Sequence, residues 1–169
     1  MRLLPPGCFP SFRYSLFCRE PLASSYAELW QEAAPHSILE NLYGPTETTI
    51  AISYYRWNQT GSSEESVNGI VPIGWIFDGQ ECSVIDAERK AVSAGVPGEL
   101  CLGGSQVTTG YWNEPKKTEE QFVRLPAAGE SPGTEPEILF NKMQMVAYTI
   151  WEEWIINSRS EAIGWNCKK

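Results

Sequence analysis

The chain is organised around ten consecutive residues, Asn41-Leu42-Tyr43-Gly44-Pro45-Thr46-Glu47-Thr48-Thr49-Ile50. Apolar, β-prone residues precede this stretch, and more of them follow it. At its centre Gly44-Pro45 is a turn signal, and Glu47 then stands between two hydroxyl side chains. We therefore predict a strand, a tight turn and a second extended run. Such a turn lifts Thr46 and Glu47 out of a sheet edge, where open sheets bind ligands.

The residues before the turn predict a strand, a helix and a second strand. Phe12–Cys18 is a short, mostly apolar run that is typical of a buried strand. Ser25 and Glu28 have the spacing of a capping box, for a helix that continues to about Ala34. Ser37–Tyr43 is the next strand. This order is a βαβ unit, which implies a parallel sheet with a right-handed crossover.

The residues after the turn predict a change of architecture. Ile50–Trp57 continues extended, and the polar residues Asn58–Asn68 form a surface loop or a subdomain boundary. Val71–Ile85 and Val96–Leu102 are typical of short strands broken by Gly and Pro, with a hairpin turn at Ala87–Lys90. A small twisted or barrel-like β subdomain fits this pattern.

The last part of the chain combines a short helix, a linker and an apolar tail. Thr118 and Gln121 have the spacing of a cap for a helix that ends near Phe122. Pro126–Glu137 is rich in Ala, Gly, Pro and Glu, which is typical of a linker. In Ile138–Ser158 the apolar residues roughly follow helical spacing, so an amphipathic helix is expected there.

Composition limits the class of protein. The chain has 169 residues, of which 42% are hydrophobic and 20% charged, an ordinary globular mixture. Its formal net charge of −8 argues against nucleic acid or an anionic membrane as a partner. No apolar run approaches the roughly 20 residues of a membrane span, and the N-terminus makes a poor signal peptide. Five scattered cysteines without a C-x-x-C pair predict reduced thiols in a cytoplasmic protein.

Thr46 and Glu47 allow two interpretations on bare chemistry. A hydroxyl and a carboxylate on one turn can hold a phosphate oxygen and a magnesium ion, because Mg²⁺ prefers a few carboxylates plus substrate phosphates. The alternative is a solvated turn with a helix-capping Thr. No catalytic triad competes with these interpretations, since His36 is the only histidine.

The longer motifs identify a family. Asn41–Glu47 closely resembles the Y-G-P-T-E motif of adenylate-forming (AMP-binding) enzymes, in the form found in the amino-acid adenylation domains of nonribosomal peptide synthetases. Gly98–Gly104, Gly110–Pro115 and Thr118–Val123 together resemble that family's G-E-L-x-x-G-G…G-Y-x-N-x-P…T-x-x-x-F motif. The order and the spacing of the two motifs also agree with the family.

Two weaker matches extend the resemblance to roughly residues 11 to 125. Phe17–Leu22 is similar to the family's G-E-x-L segment after a buried strand, and Val71–Gly74 is similar to its P-I-G strand entry. The resemblance implies an α/β fold: a partial parallel sheet with helices over residues 1–70, and a β subdomain over residues 71–125. A linker (126–137) and an unrelated tail (138–169) would follow.

The resemblance also implies roles for single residues. Glu47 would bind magnesium and Thr46 the phosphates, and these two are the candidate catalytic residues. Tyr43 would stack on adenine, Asn41 would hydrogen-bond the adenine amino group, and Gly44 would shape the turn. The remaining nucleotide-site residues, from the G-E-x-L segment, are Arg19 and Glu20.

Five further residues match the family's acyl-substrate pocket. They are small or apolar, which indicates an uncharged amino-acid side chain; the alternative is plain core packing. The five are Leu16, Cys18, Leu42, Ile50 and Ala51.

The chemistry implied by the resemblance has two steps. The substrate carboxylate attacks the α-phosphate of ATP, giving an acyl-adenylate and pyrophosphate, with Mg²⁺ as cofactor. A thiol, usually the phosphopantetheine of a peptidyl carrier protein, then takes the acyl group. Because the substrate is the nucleophile, the enzyme mainly positions groups and neutralises charge.

The sequence departs from the family in several places. Arg19 stands where the family has Gly beside the adenine site, so a bulky side chain would crowd the nucleotide. The phosphate loop with its Lys, the T-G-D motif and the C-terminal subdomain with its catalytic Lys have no match. The chain therefore looks like an internal slice of an adenylation domain.

Two hypotheses follow. In the first, the chain is part of an ATP-dependent amino-acid-activating ligase and is inactive alone. In the second, it is a non-catalytic fragment that at most binds a nucleotide weakly, or binds protein. Amino-acid-dependent exchange of pyrophosphate into ATP discriminates between them.

Overall fold

A computed structural model of the protein describes residues 4–93, 96, 98–126 and 137–143. These residues form two compact units. The first unit contains the described residues up to Tyr43, and Ser53–Trp75. The second contains Gly44–Ile52 and the described residues from Ile76 onwards. This division differs from a boundary at residue 70, because the turn that carries Glu47 groups with later residues.

The first unit is built on a mixed sheet with the strand order β1-β2-β3-β4. Its elements in chain order are β1 (Tyr14–Phe17), helix α1 (Ser24–Ala33), β2 (Ile38–Tyr43), β3 (Ser53–Arg56), helix α2 (Ser62–Glu65) and the first residue of β4 (Trp75–Ile76). β1 pairs with β2 in parallel, with Phe17 opposite Asn41. The predicted strand–helix–strand order and its parallel pairing are confirmed. β3 then returns antiparallel to β2, with Ser53 opposite Tyr43.

Helix α1 does not begin with the predicted capping box. Its N-cap is Ala23, which makes no side-chain cap, and the amide of Ser24 donates to the carbonyl oxygen of Gly69 at 2.8 Å. Glu28 accepts instead from the hydroxyl of Ser63, at 2.5 Å. Backbone from a distant loop thus satisfies the first amide of the helix, which starts one residue before the N-cap that the sequence pattern predicted at Ser25.

The core of the first unit lies between the sheet and α1. Six buried residues form it, with Phe17 and Trp30 packed against them: Leu22, Ala27, Leu39, Tyr55, Trp57 and Val71. The predicted surface loop at Asn58–Asn68 contains α2, and Ser62 in this helix is buried.

The second unit is an antiparallel sheet with the order β5-β6-β8-β7. Its strands are β5 (Gln80–Ile85), β6 (Glu99–Gly104), β7 (Phe122–Pro126) and β8 (Glu137–Met143), and helix α3 (Pro115–Gln121) precedes β7. A one-turn 3-10 helix, Thr46–Thr48, also belongs to this unit. Its hydrophobic core contains Ile85, Cys101, Val123, Leu125 and Phe140.

Two predictions about this unit need correction. The helix expected to be capped by Thr118 begins at Pro115, because Pro is pre-organised for the first helical position. Glu137–Met143 is a strand between β6 and β7, so the helix expected from Ile138 is wrong over these residues. The rest of the expected linker and tail, residues 127–136 and 144–169, lies outside the described residues.

The turn predicted at Ala87–Lys90 is present. The amide of Asp86 donates to the carbonyl oxygen of Lys90, and the amide of Lys90 donates to the Asp86 carboxylate at 2.8 Å. Cys8, Cys18 and Cys101 are free thiols, as expected for these three residues.

None of the helices in the described residues is long and apolar enough to span a membrane.

Candidate functional site

Asn41 and Tyr43 lie at the carboxyl end of β2. Asn41 is buried, and its Nδ2 donates to the carbonyl oxygen of Pro72 at 2.8 Å. Since this bond uses the amino end of the side-chain amide, Oδ1 is the end that can still accept a hydrogen bond. Tyr43 is half-buried, and burial raises the pKa of its phenol to about 12. Tyr43 is therefore a neutral ring at physiological pH.

Register places the end of β1 beside these residues. Because β1 and β2 run in parallel with Phe17 opposite Asn41, the Cys18–Glu20 segment leaves the sheet at the same edge as Tyr43. Arg19 has a φ of 93°, in the left-handed region where a side chain is strained. The backbone here has the conformation of a glycine although Arg occupies the position.

A cleft of about 970 Å³ opens beside this segment, inside the first unit. Its walls come from Leu4, the end of β1, the segment that follows β1, and α1; the lining residues are Leu4, Phe17, Cys18, Arg19, Glu20, Pro21, Leu22, Tyr26, Leu29 and Trp30. Three of the sequence-predicted residues, Cys18, Arg19 and Glu20, therefore share one cavity. Leu16 does not line it; this residue is 59% exposed on β1.

The turn after β2 is a tight one. The carbonyl oxygen of Pro45 accepts from both the amide and the hydroxyl of Thr48, each at 3.0 Å, and Thr48 is fully buried. A Cβ on Gly44 would lie 2.7 Å from the Cα of Ala51 and 2.9 Å from the amide nitrogen of Ile52. Only glycine allows the two arms of the turn to approach this closely.

The far arm of the turn is not extended where expected. Thr49 and Ile50 have φ values of 57° and 77°, so the chain reverses there before β3 begins at Ser53. The prediction that Ile50 begins an extended run is wrong for this residue. Its side chain is 75% exposed.

Glu47 is held through both its main chain and its side chain. The amide of Thr108 donates to the carbonyl oxygen of Glu47 at 2.8 Å, and the Tyr111 hydroxyl donates to Oε1 of Glu47 at 2.5 Å. This hydrogen bond, followed by burial and the carboxylate charge, raises the pKa of Tyr111 to about 12. The hydroxyl of Thr46 is exposed and makes no hydrogen bond within the described part of the chain.

Gln106 joins the same turn to β5. Its Nε2 donates to the carbonyl oxygen of Ala51 at 3.0 Å, and its own carbonyl oxygen accepts from the Thr49 hydroxyl at 2.9 Å. The amide of Gln106 donates to Oε1 of Gln80, which lies on β5. These bonds explain why Gly44–Ile52 belongs to the second unit.

The structure separates the predicted substrate-pocket residues by unit. Leu16, Cys18 and Leu42 lie in the first unit, and Ile50 and Ala51 lie in the second. The nucleotide-site residues divide in the same way. Asn41, Tyr43, Arg19 and Glu20 are in the first unit, and Gly44, Thr46 and Glu47 are in the second.

Three residues that hold the turn were not predicted. Tyr111 could have been found, because it belongs to the G-Y motif that already supported the resemblance. Gln106 and Thr108 carry no sequence signal, since a polar loop residue acquires its partner only through the tertiary fold.

The side chains around Glu47 suit a metal ion only when a phosphate-bearing molecule is bound beside them. No cluster of three His, Cys, Asp or Glu side chains capable of holding a metal occurs among the residues that the structure describes. One carboxylate and one exposed hydroxyl still fit Mg²⁺, because this ion keeps its waters and takes most of its other ligands from phosphates. Metal binding at this turn would therefore depend on a phosphate-bearing ligand.

Comparison with known proteins gives consistent results. A family model described as AMP-binding enzyme matches residues 3–112. Phosphinothricin tripeptide synthetase PhsB of Streptomyces viridochromogenes is 38% identical over 112 residues, covering 66% of this chain and 9% of that protein. D-alanine–D-alanyl carrier protein ligase of Lacticaseibacillus casei is 35% identical over 117 residues, covering 69% of this chain and 22% of that protein.

A solved structure shares the fold. The Vibrio cholerae adenylation domain AlmE, in complex with glycyl-adenosine-5'-phosphate, matches with a TM-score of 0.65 at 33% identity, over 82% of this chain and 24% of that one. The chain thus spans between 9% and 24% of the length of these three relatives.

Proposed function

The chain belongs to the AMP-binding enzyme family, and from this premise we propose that it supplies nucleotide-binding parts of an amino-acid adenylation domain. The reaction served is the activation of an amino acid by ATP to an aminoacyl-adenylate, followed by transfer to a thiol on a carrier protein. The relatives support this class, because they include a tripeptide synthetase, a carrier-protein ligase and an adenylation domain bound to glycyl-adenosine-5'-phosphate.

Asn41 and Tyr43 bind the adenine in this proposal. The bond from Nδ2 of Asn41 to Pro72 leaves Oδ1 as the end of the amide that can accept a hydrogen bond, and the exocyclic amino group of adenine is a donor. Tyr43 offers a neutral ring, and a flat aromatic ring stacks on a purine. Arg19 and Glu20 leave the sheet at the same edge.

Thr46 and Glu47 act on the phosphates. The hydroxyl of Thr46 donates to a phosphate oxygen, and Glu47 supplies the carboxylate for Mg²⁺. When bound, Mg²⁺ neutralises charge on the phosphates of ATP. The single observation that carries this assignment is the fixed position of Glu47, whose carboxylate and carbonyl oxygen are both hydrogen-bonded.

The isolated chain binds nucleotide without turning it over. A triphosphate needs several positive groups to stabilise the charge of its transition state. The chain has 13 Lys and Arg against 21 Asp and Glu, which further disfavours a bound polyanion. Activity would require the remaining parts of an adenylation domain.

Titration with a fluorescent ATP analogue, with Mg²⁺ or with EDTA, tests the proposal. We expect saturable binding that Mg²⁺ strengthens, and a loss of about tenfold in the Mg²⁺-dependent part for Glu47→Gln. Glu64→Gln is the matched control, because Glu64 is an exposed carboxylate on α2. Absence of binding, or equal loss in both variants, would contradict the proposal.

Pyrophosphate exchange tests whether the isolated chain is catalytically inactive. The isolated chain is expected to show no amino-acid-dependent exchange above background. Clear exchange with any amino acid would show that the chain is an autonomous ligase.

A further inference from the structure

We propose that Tyr111 is a positioning residue, which fixes the Glu47 carboxylate so that Oε2 is presented to a divalent cation. The inference rests on the proposed function, since it assigns a task to a residue beside the proposed metal ligand. Its basis is the bond from the Tyr111 hydroxyl to Oε1 of Glu47. Within the described residues Oε2 has no hydrogen-bond partner, so one oxygen is restrained while the other is available.

The ring of Tyr111 is itself fixed by helix α3 and β7. Nζ of Lys117 lies 4.2 Å from the ring centroid, and the ring of Phe122 meets it edge-on at 5.6 Å. The amide of Tyr111 donates to the Thr118 hydroxyl at 2.9 Å. Because these contacts restrain the phenol ring on several sides, its hydroxyl points in one direction.

Gly110 allows this arrangement. It has a φ of 147°, and a Cβ there would lie 2.5 Å from Cγ2 of Thr118. Glycine therefore lets the loop lie against α3, which brings Tyr111 and Thr108 to the same target. Thr108 then binds the main chain of Glu47 and Tyr111 its side chain.

A carboxylate held in one orientation loses less conformational entropy when it binds a metal. Partners that orient a metal ligand typically contribute tenfold or more to metal affinity. Tyr111 would make this contribution without touching the cation or the nucleotide.

The test compares the full chain with its Tyr111→Phe variant, which keeps the ring and removes the hydroxyl. The probe is Mn²⁺, followed by its electron paramagnetic resonance signal in the presence of ATP. We expect Mn²⁺ affinity to fall about tenfold, while ATP affinity measured in EDTA stays unchanged. The control is Trp112→Phe, because Trp112 is the next residue and is 96% exposed.

Hydrogen exchange at the Thr108 amide reports whether the fold of the loop survives. If Tyr111→Phe fails to fold, Lys117→Met replaces it, because this variant keeps the phenol but removes the cation beside the ring. A loss of about twofold in Mn²⁺ affinity is then expected.

The outcomes separate the two proposals. If the unchanged chain shows no Mn²⁺-dependent ATP binding, the proposed function fails, and the role of Tyr111 fails with it. If the unchanged chain binds Mn²⁺ and Tyr111→Phe binds it equally well, only the positioning role is overturned. Equal loss with Mn²⁺ and in EDTA would reveal a structural role and would also overturn the inference.

Discussion

Two backbone positions in the proposed nucleotide site both suit glycine, but only one of them is occupied by glycine. At Gly44 any side chain would collide with the returning arm of the turn. At residue 19 the backbone has a φ of 93°, which suits glycine, yet the side chain is arginine. A substitution at the first position should therefore lower the free energy of unfolding, and one at the second should raise it.

Gly44→Ala should destabilise the protein by about 1–3 kcal/mol, the usual cost of forcing atoms into a packed site. The new Cβ would lie 2.7 Å from backbone that cannot move without opening the turn. Urea unfolding followed by circular dichroism measures the change. Gly61→Ala is the control, since nothing lies within 4 Å of a Cβ at Gly61. Equal effects of the two substitutions would show that the turn is looser than described.

Arg19→Gly should stabilise the protein by about 1 kcal/mol, because relief of backbone strain exceeds the added flexibility of the unfolded chain. Asn68→Gly is the comparison: Asn68 has a φ of 51°, a conformation that asparagine tolerates, so its gain should be smaller. The same Arg19→Gly variant should leave pyrophosphate exchange at background, because the change adds no positive group to stabilise the charge on the phosphates. Exchange above background would show that this variant is an active ligase.

Helix α2 depends on one tyrosine of β3. The Tyr55 hydroxyl donates to Oε2 of Glu65 at 2.6 Å and lies 2.8 Å from the Ser62 hydroxyl. Both partners lie on α2, within a segment that the sequence indicated only as a polar loop. Tyr55→Phe should cost about 1–2 kcal/mol in the free energy of unfolding at pH 7. Tyr26→Phe, at a ring that is 67% exposed, should cost little.

The same tyrosine gives a pH dependence. Burial, and then the hydrogen bond to Glu65, raises the pKa of Tyr55 from 10.0 to about 12. The unfolded chain therefore loses this proton first, so the stability from Tyr55 is complete below pH 10 and disappears as the pH rises towards 12. Unfolding free energies measured at pH 8, 10 and 11 should fall less steeply for Tyr55→Phe than for the unchanged chain. Parallel curves would contradict the assignment.

Strand β8 is the element that sequence patterns missed, and its role in the second sheet is testable. β8 pairs with both β6 and β7, and Phe140 at its centre is buried against Gly103. Phe140→Ala should destabilise the unit by about 3–5 kcal/mol, the usual cost of removing a buried aromatic ring. Val96→Ala, at a side chain that is 47% exposed, is the control. A small effect of Phe140→Ala would show that β8 is peripheral.

These elements show what the sequence could and could not predict. β1, α1 and β2 were predictable, because their apolar residues repeat with the period of a strand or a helix. The start of α1 was not, because the carbonyl oxygen of Gly69, 45 residues away along the chain, binds its first amide. The apolar spacing in β8 fitted a helix, and only pairing with distant strands selects the extended form. The position of Glu47 was predictable from its motif, but its bonds to Thr108 and Tyr111 depend on tertiary contacts.

The described part of the chain as a whole leaves apolar surface uncovered. β1 is at the edge of its sheet, and its side chains Tyr14 and Leu16 are 55% and 59% exposed. An edge strand with exposed apolar side chains is a template for pairing with another chain.

We therefore expect the protein to self-associate through β1. Sedimentation velocity over a hundredfold concentration range should show a weight-average sedimentation coefficient that rises with concentration. Leu16→Lys combined with Tyr14→Lys should remove most of that rise, since charged side chains on an edge strand oppose pairing between sheets. Trp112→Lys is the matched control: this side chain is 96% exposed but lies outside any strand, so its replacement should leave the association unchanged. Equal effects of the two changes would attribute association to exposed apolar area in general. A sedimentation coefficient independent of concentration in the unchanged protein would show that the edge of β1 does not pair.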